Sequence, residues 1–127
     1  MTEKQGDNRV MGSLRMFFRD TSHWVFMGIS GFLLILSFFV IWYGIGNREA
    51  AIVLHYNVYF GVDVIGEWWQ AYFIPLLGTG IWMIHLILAF RFFQIGKRDV
   101  CQITFFSLLF LEGMILVASF ALGLVNY

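Results

Sequence analysis

The chain has 127 residues, 60% of them hydrophobic and 13% charged, with eight basic and eight acidic side chains. Soluble domains carry about a quarter charged residues, and a water-soluble protein this small could not bury so much apolar surface. Zero net charge supplies no global field for nucleic acid, and one cysteine excludes an internal disulfide or a cysteine-rich zinc site. What remains is one domain whose solvent is lipid.

Residues 1–22 form an N-terminal segment expected at the interface. Positions 1–8 are polar and expected to fray. Over 9–19 (RVMGSLRMFFR), Val10, Leu14, Phe17 and Phe18 recur at i, i+4, i+7 and i+8, the apolar stripe of a helix, with Arg9, Arg15 and Arg19 interspersed. Two readings stay open: a basic amphipathic helix in the headgroup plane, or a basic flank of the first span. Asp20, Thr21 and Ser22 supply helix-capping oxygens.

The first predicted span covers 23–46. Its uncharged run, 24–43, matches the ~20 residues needed to cross the hydrocarbon core. Trp24 at one end and Trp42 with Tyr43 at the other suit the aromatic belts. Gly44-Ile45-Gly46 has the small-x-small spacing of a cleavage site, but the apolar run exceeds the about 7–15 residues of a signal peptide, so it reads as a retained anchor. Gly28, Ser30, Gly31 and Ser37 either admit a neighbouring helix or are ordinary small residues in lipid. His23, beside Trp24, reads as snorkelling at the interface.

Residues 47–70 form a polar break. The stretch 51–60 (AIVLHYNVYF) is rich in β-branched and aromatic types and too short to cross as a helix, which predicts an extended strand at the membrane surface. Gly61 and Gly66 mark bends, and Asp63 is a candidate cap for a following helical turn. The polar groups are Glu49, His55, Asn57, Asp63 and Glu67. His55 and Asn57 fall on one strand face at i, i+2. These groups make a divalent-metal site, a recognition face for a partner or peptide, or a solvated face; their spacing is no metal signature. No metal or cofactor is expected.

The second span covers 71–93, with Pro75 in its first turn, where a missing N–H costs little. A short connection, 94–102, leads to a third span, 103–127, interrupted only by Glu112. Cys101 at its edge is a small apolar residue or, less simply, a palmitoylation site. Lys4, Arg9, Arg15 and Arg19 flank the first span, Arg91, Lys97 and Arg98 surround the 94–102 connection, and the 47–70 loop has only Arg48. The positive-inside rule therefore predicts an inner-membrane protein with a cytoplasmic N-terminus and connection, and an extracytoplasmic loop and C-terminus.

Glu112 is the residue most in need of explanation. An ionised acid near the bilayer centre costs about 2.5–3.5 kcal/mol on insertion scales, so it needs a partner, water or a proton. Counted from the connection, His85 sits at nearly the same depth, which predicts an intramembrane pair, His85 and Glu112. Glu112, Ser119 and Gly123 share a stripe of the third span, as do Gly78, His85, Ala89 and Phe92 on the second. Gly78, Gly113, Ser119 and Gly123 are the expected helix-packing positions. The pair then either fixes helix pairing through a hydrogen bond or moves a proton.

IVLHYNVYFGVDVIGEWW followed by YFIPLLGTGIWMIHLIL resembles the small bacterial membrane domain of unknown function that opens the SdpI-type toxin-immunity proteins. The resemblance covers about residues 24–90 and is carried by His55, Tyr56, Asn57, Gly61, Asp63 and Pro75. Gly61 stands one place late, and Val53 replaces the family's proline two places before the histidine. It implies a bacterial membrane protein with an extracytoplasmic strand, and no particular chemistry.

The sequence thus predicts an all-α membrane protein with three transmembrane helices, an N-terminal amphipathic helix and a short extracytoplasmic strand-containing loop. Nothing in it forms a Ser/His/Asp, Walker or dinucleotide fingerprint. The expected role is a non-enzymatic interaction or assembly component in the lipid bilayer, as a homo-oligomer or with a membrane-protein partner. The alternatives are a proton-linked transporter or channel subunit using Glu112 and His85, and a sensor or immunity-type protein using the 47–70 loop.

Overall fold

A computed structural model describes residues 2–45 and 51–127, without the side chains of 2–9, Tyr56 and Asp63. Gly46, Arg48 and Glu49, which entered the sequence reading, lie outside the described residues. In chain order the elements are α1 (Thr2–Arg19), α2 (Thr21–Gly44), β1 (Ile52–Asn57), β2 (Gly61–Gly66), a 3-10 turn (Trp68–Tyr72), α3 (Phe73–Gln94) and α4 (Arg98–Asn126). α2, α3 with its leading turn, and α4 are each long and apolar enough to cross a membrane. The chain is a small multi-pass membrane protein.

α1 is helical from Thr2. Asp20 breaks the path between α1 and α2. Its extended backbone and side chain cap α2, with Oδ1 accepting from the Ser22 amide at 3.0 Å and the Ser22 hydroxyl at 2.7 Å. These bonds, the hydroxyl's first, hold the Asp20 carboxyl below its usual range. A lowered folded-state pKa stabilises above the unfolded value, and the gain disappears as pH falls through the lowered value. The protection of amides at the start of α2, referred to the intrinsic exchange rate at each pH, is therefore expected to fall in acid, and Asp20→Asn should abolish that pH dependence while keeping most of the cap.

α2 and α4 run parallel. Phe26 stacks on Phe105 at one end and Gly44 meets Gly123 at the other. α3 runs back antiparallel and packs chiefly on α4, with Gly78 beside Glu112 and Ala89 in the cluster of Cys101. α3 ends through two backbone bonds: Gly96 N–H donates to the Phe93 carbonyl and Lys97 N–H to that of Phe92, each 3.0 Å. Gly96 has φ +77°, so this is a Schellman stop that needs glycine. α4 restarts at Arg98, so the connection is shorter than the expected 94–102.

The segment after α2 is a hairpin rather than one strand. β1 and β2 pair antiparallel, with register shifts at Val53/His55 and His55/Tyr56. Gly61, at φ +77°, takes the left-handed position closing the turn over 58–60. Asp63 therefore lies within β2, and the N-cap of the following turn is Glu67. The following turn is held at Glu67, whose amide donates to Gln70 Oε1 at 2.8 Å.

Asn126, unremarked in the sequence, ties this hairpin to α4. Its Oδ1 accepts from the Val53 amide at 2.7 Å, while Nδ2 donates to the carbonyls of Val53 at 2.8 Å and Leu122 at 2.9 Å. The side chain covers the free edge of β1, which otherwise offers unpaired backbone groups. Asn126→Ala should cost about 1 kcal/mol and speed hydrogen exchange at Val53.

Two apolar clusters close the bundle. Phe17, Ala89, Cys101, Phe105 and Leu108 pack at the α1 end; Ile41, Ile45, Ile52, Ala71 and Leu122 pack at the hairpin end.

Candidate functional site

Between those clusters runs a seam of small and polar residues. On α2, His23, Ser30, Ser37 and Gly44 are buried and recur every seventh position; on α4, Glu112 and Ser119 share that spacing with Phe105 and Asn126. A seven-residue repeat keeps one face of a helix against a parallel neighbour. Small groups are what bring membrane helices close, because lipid supplies no hydrophobic drive between them.

Most of the seam is internally satisfied. The Ser30 hydroxyl donates to the Met27 carbonyl at 3.2 Å and accepts from Trp82 Nε1 at 3.0 Å, joining α2 to α3. The Ser37 hydroxyl donates to the Leu33 carbonyl at 2.9 Å. Serine bonding back to its own helix is how such a hydroxyl is accommodated in a span.

His23 does not snorkel. It is 4% exposed, in a cage with Phe17, Phe93 and Phe105 around its ring. Its Nδ1 lies 2.9 Å from the Phe17 carbonyl, which only accepts, so Nδ1 carries the proton. Nε2 then faces Cys101 Sγ at 3.9 Å and Asp20 Oδ2 at 4.0 Å. This knot draws α1 onto the bundle. Its signal in the sequence was the seven-residue spacing to Ser30, which an interfacial reading of Trp24 obscured.

Glu112 is completely buried, and among the described residues neither carboxyl oxygen has a hydrogen-bond partner. The expected pair with His85 does not form. Oε2 lies 3.2 Å from where a Cβ would stand on Gly78, seven residues before His85 on α3. At 1.5 Å rise per residue that is about 10 Å along the helix. His85 Nδ1 bonds the Ile81 carbonyl of its own helix at 2.8 Å. The physical reason is the Schellman stop. With α4 beginning at Arg98 and Ala89 packed in the cluster of Cys101, His85 lies level with Phe105, four residues along each helix.

The other expected packing positions divide. A Cβ on Gly78 would come within 3.1–3.2 Å of Leu34, Ile115 and Glu112. Gly123 lies against Gly44, and Ser119 is buried with its hydroxyl unpaired among the described residues. Gly113 meets nothing within 4 Å and faces outward.

In the hairpin, Asn57 Oδ1 accepts from the Tyr59 amide at 2.9 Å, an Asx turn that uses the group locally. Gly61 serves the same turn. His55 lines a hollow of about 390 Å³ with Leu54, Ile74, Ala118 and Val125. Among the described residues, no three His, Cys, Asp or Glu side chains gather to hold a metal.

A second feature lies on the outside. Along the hairpin half of α2 and α4 run two hollows of about 380 and 500 Å³ that share Leu36, Val40, Phe120 and Leu124. Together they form one apolar groove with no residue of α3 in its lining. No family model, curated protein or solved structure matches the chain.

Proposed function

We propose that this protein is a non-enzymatic assembly component of a membrane, and that the α2–α4 groove receives a transmembrane helix of a second copy or of a partner protein. The observation carrying this reading is the groove itself: an elongated, wholly apolar depression between two parallel helices. Helices pack by placing ridges into grooves, and a depression of this form lets a further helix approach closely. Gly113 lies outward on the same helix, where a side chain is missing and nothing fills the space. The charge bias places α1 and the 95–97 connection in the cytoplasm, and the hairpin outside.

Cysteines placed singly at Leu36, Phe120 and Leu124, in a Cys101→Ala background, test this in native membranes. Oxidative cross-links are expected at these positions and not at Leu77, which is exposed on α3. Cross-linking at Leu77 alone contradicts the proposal, and cross-links at none of them exclude a second copy as the occupant.

Glu112 favours a second reading, proton-linked transport, because unpaired acids inside membrane bundles so often mark ion paths. In this form the path does not use a His85 pair. An infrared titration of the carboxyl in lipid decides it: transport requires a protonation change between mildly acid and mildly alkaline pH, and a carboxyl that never changes ends the idea.

A further inference from the structure

At the end of the bundle opposite the hairpin, α1 folds back instead of continuing α2, and leaves a cleft of about 210 Å³ against the spans. Leu14 and Phe18 of α1, Met27 of α2, and Leu86, Ile87 and Phe90 of α3 line it. Phe18 and Ile87 are exposed, so in a bilayer the cleft opens onto acyl chains.

Three of these apolar residues are each followed by an exposed arginine: Leu14 by Arg15, Phe18 by Arg19 and Phe90 by Arg91. Arg91 also sits one turn beyond Ile87 on its face of α3. It is coupled to α1 through Gln94: Arg91 Nη1 donates to Gln94 Oε1 at 3.3 Å, and Gln94 Nε2 donates to the Ser13 hydroxyl at 3.3 Å. With Lys97 and Arg98, this end carries five exposed cations against two exposed acids, Asp20 and Asp99, among the described side chains. Asp20 is already engaged by Ser22.

We propose that one phospholipid with an anionic headgroup occupies this site, an acyl chain in the cleft and the phosphate at Arg15, Arg19 and Arg91. An apolar slot with Arg15 one turn from Phe18 and Arg91 one turn from Ile87 suits an occupant that is oily at one end and anionic at the other. Guanidinium forks pair phosphate oxygens in two-point contacts, and α1 is clamped by Phe17 and by Gln94–Ser13, so the walls of the slot are in place before the lipid arrives.

The test uses the full chain in nanodiscs of equal parts phosphatidylcholine and phosphatidylglycerol, released for native mass spectrometry. Phosphatidylglycerol is expected to remain bound in preference to phosphatidylcholine. Arg91→Gln should lower that preference about fivefold, the factor for one basic side chain at an anionic surface, and Lys97→Gln should leave most of it. Equal retention of the two lipids overturns the proposal. So does a loss with Lys97→Gln as large as with Arg91→Gln, because it makes the attraction a diffuse collar and not this cleft.

Discussion

Gly44→Ala is expected to unfold or severely loosen the bundle, while Gly123→Ala, across the same contact, is expected to be nearly silent. The asymmetry follows from where each new methyl points. A Cβ on Gly44 would stand 2.6 Å from the Gly123 Cα, and that neighbour is backbone, which cannot rotate away. A Cβ on Gly123 would meet the Gly44 Cα and the Val40 carbonyl at 3.5 Å, ordinary contact. Overpacking typically costs about 1–3 kcal/mol, and a backbone clash belongs at or beyond the upper end. α2 and α4 share the most extensive contact in the molecule, so the loss spreads along both helices. Thermal unfolding in detergent, followed by tryptophan fluorescence, should show a large fall for the first variant and little change for the second. Equal falls would mean that the helices do not cross at these glycines.

Glu112→Leu is expected to raise stability. The carboxyl is buried with both oxygens unpaired, and an unsatisfied buried polar group costs about 1–3 kcal/mol. Leucine removes both acceptors and fills a similar space beside Gly78. Glu112→Gln keeps the shape and gains no partner, so its stability should stay near that of the parent. Cross-linking along the groove should survive both changes if assembly is the function. A stabilised Glu112→Leu that has lost a transport activity would instead assign the unpaired acid a working role, since proteins tolerate such a cost at functional sites.

The three spans were legible because length and apolarity alone determine them in lipid, and Asp20 and Pro75 read correctly as start signals because capping is local. The neighbour of Glu112 was not legible. Depth counted from a connection depends on where each helix ends, and a stop as tight as that at Gly96 moves the second helix by whole turns. A level set by Ala89 near Cys101 brings Gly78 to the acid, and no local pattern encodes that slide. β2 was missed because GVDVIG begins and ends in glycine, and both glycines looked like bends; the long-range pairing with β1 supplies what propensity lacked. Asn126 was missed for the same reason, since its partner Val53 lies far away in sequence. The groove depends on which sides of α2 and α4 remain after α3 has docked, which only the assembled bundle displays.

Single-cysteine accessibility in intact cells, in a Cys101→Ala background, tests the central account of three crossings most directly. Cysteines at Tyr59 in the hairpin turn and at Tyr127 should react with a membrane-impermeant maleimide on one side, and a cysteine at the exposed Lys97 only from the other. Labelling of positions 59 and 127 from opposite sides would contradict it.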